Sequence, residues 1–296
     1  MTDLPINSPV EQILDPLFSE KRVEVFVKRD DMIHPFISGN KWRKLKYVLS
    51  NAESLNKKHL VTFGGAFSNH LLATACASAK FGFKSTGFVR GEEVQNEVLM
   101  LCKLFGMMLI FTDRLSYRDK LSLYKTRFKD DSNAYFIDEG GAGEFGVKGC
   151  AELVDELPEN YDHIFCAAGT GTTAAGIIKS IEGRKITSQV HVIPVLKARS
   201  FLEIEIEKYT SHTFELHPDY SFGGYAKTTP ELLTFIQNFC KSTGILIEPV
   251  YTGKMFFAMY DLIKKDSFCP GSKILAIHTG GLTGILGLST KLNQNS

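Results

Sequence analysis

The sequence predicts an α/β protein of two domains, with parallel or mostly parallel sheets covered by helices. Short runs of β-branched and aromatic residues alternate with helix-period segments along most of the chain, the pattern of a parallel sheet covered on both faces. A length of 296 residues suits two domains or one large α/β unit. The alternation breaks once, at residues 138–149, where Gly140, Gly141, Gly143, Gly146 and Gly149 cluster. That stretch reads as a hinge or crossover between two α/β layers, or as a simple long loop.

Taken in order, residues 23–27 (Val-Glu-Val-Phe-Val) alternate as a strand and run into Lys28, Arg29, Asp30 and Asp31, a site wall or a solvated turn. Leu45, Val48, Leu49, Ala52 and Leu55 then recur at helical spacing, with Asn40 as the cap. Strands follow at 59–63, 84–90, 107–111 and 134–137. Helices lie between them at 69–81, 93–105 and 116–128, the first two stopped by Gly82 and Gly106. Beyond the glycine cluster come a strand at 163–167, a helix at 172–181 and a strand at 189–195. Helices at 199–209 and 231–241 flank a looser stretch through Tyr220 and Tyr225, before a helix at 253–264, a strand at 273–278 and a short helix at 283–288. There is no low-complexity segment and no fixed-period repeat.

A formal charge of +1 gives no reason to expect nucleic acid or an acidic membrane surface as partner. The first ten residues carry Pro5 and Pro9 and no basic-then-apolar pattern, so no signal peptide is expected. No apolar run approaches the roughly 18 residues that span a bilayer. Cys76, Cys102, Cys150, Cys166, Cys240 and Cys269 are scattered without a C-x-x-C pair, which argues against zinc, redox chemistry and a secreted disulfide framework. They read as small buried residues in a reducing cytoplasm, and no metal site is expected.

Two features suggest chemistry. In Gly39-Asn40-Lys41-Trp42-Arg43-Lys44-Leu45 three basic side chains crowd a helix start that is already partly positive. Either an anion docks there, or one lysine is neutral because it is covalently occupied, or the stretch is a solvated basic helix start. In addition, three strand ends run through glycine into a helix: Gly64-Gly65-Ala66-Phe67-Ser68-Asn69-His70, Gly169-Thr170-Gly171-Thr172-Thr173, and His278-Thr279-Gly280-Gly281. Ligands of open α/β sheets bind beyond the carboxyl ends of the strands, so the three turns point to one crevice. The middle turn matches G-x-G-x-x-A, yet the following strand ends Pro194-Val195-Leu196-Lys197, without the acid a dinucleotide ribose requires, and there is no Gly-Lys-Ser/Thr. Glycine for close approach and three threonine hydroxyls suit one terminal phosphate. A phosphate monoester, a lysine at a helix start and no metal ligands together suggest pyridoxal phosphate, with Lys41 as the Schiff-base lysine and Lys44 helping to hold the phosphate.

The same motifs, with Lys28-Arg29-Asp30-Asp31, Gly224-Tyr225 and Pro249-Val250-Tyr251-Thr252-Gly253-Lys254, resemble the pyridoxal-phosphate enzymes grouped as 1-aminocyclopropane-1-carboxylate (ACC) deaminases and D-cysteine desulfhydrases. The likeness covers nearly the whole chain in order. It implies the tryptophan-synthase β-like fold (fold type II), with a larger cofactor-binding domain at 1–50 plus 146–296, a smaller α/β domain at 51–145, and a homodimer. It further implies that Lys41 carries the cofactor and that Lys44, Gly169, Thr170, Gly171, Thr172 and Thr173 bind its phosphate. Asn69 would bond its phenolic oxygen and Ser68 would face the substrate carboxylate. Tyr251 would lie against the pyridine ring with Tyr225 nearby in the substrate pocket, Lys41, Ser68, Tyr225 and Tyr251 being the catalytic set. His70 and His278 read as structural. Two positions separate the activities: ACC deaminases have a Tyr-Glu pair where this chain has Tyr251-Thr252, and an apolar residue in place of Thr279. The threonines resemble the D-cysteine desulfhydrase side, in which Thr279 would meet the ring nitrogen.

The expected activity is therefore α,β-elimination from a small amino acid, D-cysteine giving pyruvate, ammonia and sulfide. The alternatives are ACC deamination to 2-oxobutanoate and ammonia, or a D-serine-type deaminase. A non-catalytic cofactor-binding protein is a rival of another class, and a nicotinamide oxidoreductase is disfavoured by the missing ribose acid.

Overall fold

A computed structural model describes residues 3–197 and 199–288. The chain opens with β1 (Val10–Ile13), α1 (Pro16–Lys21), β2 (Glu24–Lys28) and α2 (Asn40–Ser54). It continues through β3 (His59–Gly65), α3 (Asn69–Phe81), β4 (Lys84–Arg90), α4 (Glu97–Leu104), β5 (Met108–Thr112), α5 (Lys120–Phe128) and β6 (Ala134–Phe136). The second half contains α6 (Glu144–Asp155), β7 (His163–Ala168), α7 (Thr172–Arg184), β8 (Gln189–Pro194), α8 (Arg199–Glu207), β9 (Glu215–Leu216), α9 (Pro230–Thr243), α10 (Thr252–Lys264) and β10 (Lys273–Ile277).

These strands form two sheets. One has the order β1-β2-β10-β7-β8-β9 and the other β5-β4-β3-β6. Every pairing is parallel except β1 with β2. Alternate residues of the larger sheet feed two cores: Phe165, Ala167 and Ile193 pack with Phe256 and Met259 of α10 on one face, while Ile164, Cys166 and Val192 pack with Ala174 and Ile178 of α7 on the other. Period-2 burial on both faces is what β-branched, continuously apolar strands require. In the smaller sheet, Val89 packs with Leu71 and Leu72 of α3, and the stacked pair Phe63–Phe88 fills the opposite face.

Several local expectations are corrected. The glycine cluster does lie on the crossover from the smaller sheet at β6 to the larger at β7, but it is no long loop, since a 3₁₀ turn at Glu139–Gly141 leads directly into α6. Gly146 and Gly149 are helical. A β-carbon on Gly149 would stand 1.8 Å from the carbonyl oxygen of Arg43, so this glycine allows α6 to press onto α2 rather than turning the chain. The segment at 93–105 becomes helical only at Glu97, where the Asn96 side chain accepts from Leu99 N–H. The segment at 116–128 is split by Asp119, which caps α5. Asn40 is not the cap of α2. Gly39, with φ of +56°, precedes the helix without a side-chain cap, and a β-carbon there would overlap the Thr279 carbonyl. The charges after β2 face inward, described below. Among the described residues no helix is long and apolar enough to cross a membrane.

Candidate active site

The first turn of α2 distributes its side chains in three directions, as 3.6-residue periodicity dictates. Trp42 is fully buried in the core against Phe81. Arg43 enters a buried ion cluster: it donates to Asp30 (Nε to Oδ2 2.6 Å, Nη2 to Oδ1 2.7 Å) and to both oxygens of Glu156 (2.8 Å each), which also meets Lys28 at 2.9 Å. Lys41 and Lys44, three residues apart, share the remaining face. Among the described residues neither ammonium has a hydrogen-bond or ion-pair partner. Burial, followed by the charge of Lys44, holds the Lys41 amine well below the usual lysine value. Burial also lowers Lys44.

The 169–173 turn lies on the same side. Gly171, at φ +80°, turns the chain into α7, and no side chain caps the N–H groups of the first helical turn. Thr170 and Thr172 pair their hydroxyls at 3.1 Å, and the Asn40 amide donates to Thr173 Oγ1 at 3.0 Å, linking the starts of α2 and α7. Lys44 passes close to Gly141 and Gly146, and Gly146 abuts Thr172, so lysine and threonines share one wall. A β-carbon on Gly169 would lie 3.2 Å from Tyr251 Cε1, so the absent side chain lets the tyrosine ring reach this turn. Tyr225 meets Tyr251 edge-on, with centroids 6.1 Å apart at 76°. The Lys254 ammonium holds the Tyr225 segment by donating to the carbonyls of Ser221 and Gly224, both at 2.8 Å.

The end of β10 completes the crevice. The Thr279 carbonyl accepts from Asn40 N–H at 3.2 Å, and its side chain is buried with no hydrogen-bond partner among the described residues. Asn69 Nδ2 donates to the Gly281 carbonyl at 3.2 Å and its Oδ1 accepts from Thr283 at 2.7 Å. Ser68 caps α3 by accepting from Leu71 N–H, and His70 bonds Thr62 through Nε2. Burial and the two nearby lysines keep that imidazole neutral. His278 is held by backbone partners, Leu246 O and Gly280 N. Thr252 is not directed at the crevice, because its hydroxyl pairs with Glu248. A cavity of about 360 Å³ is lined by Arg90, Arg114, Arg118, Lys120, Tyr117 and Glu139, four basic side chains against one carboxylate.

Two residues escaped sequence reasoning. The buried carboxylate of Glu248 accepts from the N–H groups of Val250, Tyr251 and Thr252 at 2.7–2.8 Å, fixing the start of α10 and with it Tyr251. An acid before Pro249 at a helix start was the available signal. Arg43 gave no signal, since its partners lie 13 and 113 residues away.

These residues fit pyridoxal phosphate. Lys44, without an ion-pair partner among the described residues, and the positive end of α7 suit a phosphate, while the depressed Lys41 amine suits a covalent bond to an aldehyde. Glycine at 169 brings the Tyr251 ring up to the phosphate turn, where it can pack against a flat cofactor ring. Residues 2–280 match the family model described as pyridoxal-phosphate dependent enzyme. The chain belongs to this family. A Pyrococcus horikoshii protein of the family, named "Putative 1-aminocyclopropane-1-carboxylate deaminase", is 31% identical over 315 residues, spanning 98% of this chain and 94% of its own. The Arabidopsis thaliana mitochondrial bifunctional D-cysteine desulfhydrase/1-aminocyclopropane-1-carboxylate deaminase is 29% identical over 303 residues, covering 92% of this chain and 75% of that protein. A crystal structure of an ACC deaminase homologue superposes with a TM-score of 0.88 at 30% identity, covering 99% of this chain and 95% of that one. This pyridoxal-phosphate enzyme thus has fold type II and is of the lyase and deaminase kind.

Proposed function

We propose that the enzyme eliminates the β-substituent of a small amino acid, D-cysteine first among them, giving pyruvate, ammonia and sulfide. The observation that carries this reading is the pairing at the two threonines. Glu248 spends both carboxylate oxygens on backbone N–H groups and engages Thr252, whereas the Thr279 hydroxyl has no hydrogen-bond partner among the described residues. We assign the Thr279 hydroxyl, rather than a carboxylate, to the ring nitrogen of the cofactor. When bound, pyridoxal phosphate supplies the sink for negative charge developing at the substrate α-carbon. A neutral hydroxyl supports a weaker sink than a carboxylate does. Elimination of a good leaving group tolerates that, whereas opening a cyclopropane without an α-hydrogen demands more.

In this reading Lys41 anchors the cofactor, and its Nζ, kept uncharged by burial and by Lys44, takes the α-proton. Lys44, Gly169, Thr170, Gly171, Thr172 and Thr173 hold the phosphate. Asn69 bonds the phenolic oxygen, and Ser68 orients the substrate carboxylate. Tyr251 packs on the ring and Tyr225 closes the substrate side. We further infer a larger unit at 1–50 plus 146–296 and a smaller one at 51–145, each built on one sheet, and a cytoplasmic homodimer, in keeping with the free cysteines.

ACC deamination is the second reading, favoured by the names of the archaeal relatives. Purified protein assayed separately with D-cysteine, L-cysteine and ACC distinguishes the two. Sulfide and pyruvate from D-cysteine are expected, and 2-oxobutanoate from ACC with no sulfide from either cysteine would overturn the proposal.

A further inference from the structure

At the β8–β9 edge of the larger sheet, three groups converge that the cofactor site does not use. His191 Nδ1 and His217 Nε2 lie 3.0 Å apart, and Glu215 Oε2 stands 3.3 Å from the first and 3.6 Å from the second. Glu215 and His217, two residues apart on extended chain, project to one side, and β8 brings His191 alongside through the pairing of His191 with Glu215. A tetrahedral ion with bonds of about 2.0–2.1 Å places its ligand atoms about 3.4 Å apart, close to the separations here.

The surroundings prepare these atoms for a cation. His191 Nε2 meets His163 Nδ1 at 3.0 Å; with the proton on Nε2 and donated to His163, the Nδ1 lone pair of His191 is turned toward the cluster. That arrangement, a ligand imidazole oriented by a hydrogen bond from its other nitrogen, is the usual support of a metal-bound histidine. The rings are locked by packing. Phe165 stacks on His191 at 4.4 Å and 10°, His217 lies beside that pair, 5.2 Å from His191 at 24° and 6.5 Å from Phe165, and Phe268 packs edge-on. Glu215 supplies the negative charge, and its half-exposed side chain leaves the outer side open to water.

We propose that His191 Nδ1, His217 Nε2 and Glu215 Oε2 bind a zinc-class divalent transition metal, with water as the fourth ligand. Imidazole and carboxylate donors suit that class. The ion ties the two-residue strand β9 to β8 and to the 217–225 segment that ends at Tyr225, so it acts as a clamp apart from the cofactor chemistry. No sequence motif reveals the set, because one ligand comes from another strand 24 or more residues earlier in the chain.

The test is calorimetric titration of Zn²⁺ into chelator-treated, cofactor-loaded enzyme, with cofactor absorbance confirming that each variant is folded. One equivalent is expected to bind. Glu215→Gln, at an exposed position, and His217→Gln, at a largely buried one, should each weaken that binding at least ~10-fold and abolish the rise in melting temperature that zinc produces. No zinc uptake by the unsubstituted enzyme would leave the three groups as a hydrogen-bonded imidazole row and overturn the proposal. Uptake that both variants retain undiminished would overturn it equally.

Discussion

Arg43 is the most informative single position for stability. Its guanidinium neutralises Asp30, which is fully buried and whose carboxylate is otherwise bonded, among the described residues, only by Ser8 at 2.6 Å, and Glu156, which keeps Lys28 and remains partly open to water. In Arg43→Met the Glu156 side loses little, because a half-exposed carboxylate with a second partner is screened. The Asp30 side dominates, and stranding one member of a buried pair costs about 3–5 kcal/mol. At roughly 2 °C per kcal/mol for a chain of this length, the melting temperature of the cofactor-loaded enzyme should fall by about 6–10 °C, followed by circular dichroism. Asp30→Asn in the Arg43→Met background should recover most of that loss, because the cost is an uncompensated charge rather than a missing attraction. A single variant melting within about 1 °C of the parent, or a double variant no better than the single, refutes the reasoning. The pH dependence has a definite sign. Although burial raises it, Arg43 and Lys28 hold Glu156 below the ordinary carboxyl value, so its contribution is present at neutral pH and is lost as pH falls through that depressed value. Arg43→Met should flatten this acid limb.

Two further outcomes concern the site. Cofactor uptake by stripped enzyme should proceed at its plateau rate near neutrality, because the Lys41 amine lies well below the ordinary 10.5; a rate rising tenfold per pH unit up to pH ~10 would mean an ordinary lysine. The same shift leaves the folded chain with fewer protons than the unfolded one, so the stripped protein should gain stability as pH rises between the two values, opposite in origin to the acid loss at Glu156. Lys254→Met removes both hydrogen bonds that hold the segment carrying Tyr225. It should raise KM severalfold with a smaller effect on kcat, whereas an unchanged KM in steady-state assays would separate that segment from substrate binding.

What could be read from the sequence divides along physical lines. Helix α3 and strand β4 match their expected bounds because Gly82 ends one and the exposed Lys84 and Arg90 bracket the continuously buried run of the other. The crevice was legible for a related reason: parallel strands must release the chain at their carboxyl ends, and glycine there marks a close approach. Elements with few residues carried no such signal. β1, α1 and β9 are four, six and two residues long, and each depends on a neighbour for its pairing or packing. Gly146 and Gly149 misled because composition cannot distinguish a glycine that bends the chain from one that admits a neighbouring helix; only the contact with Arg43 decides.

The same distinction explains the crowded positive start of α2. Lys41, Arg43 and Lys44 looked alike as charges, but the helix directs them to different surroundings. Arg43 meets two carboxylates and spends its charge on the fold. Lys44 meets Gly141 and Gly146 and its charge reaches the Lys41 amine, and neither lysine has a hydrogen-bond or ion-pair partner among the described residues. A single helical turn thereby joins the ion cluster that stabilises α2 to the two lysines proposed to hold the cofactor. Misplacing Arg43 should therefore disturb cofactor binding without touching the crevice, and the absorbance of bound cofactor in Arg43→Met reads out that coupling directly.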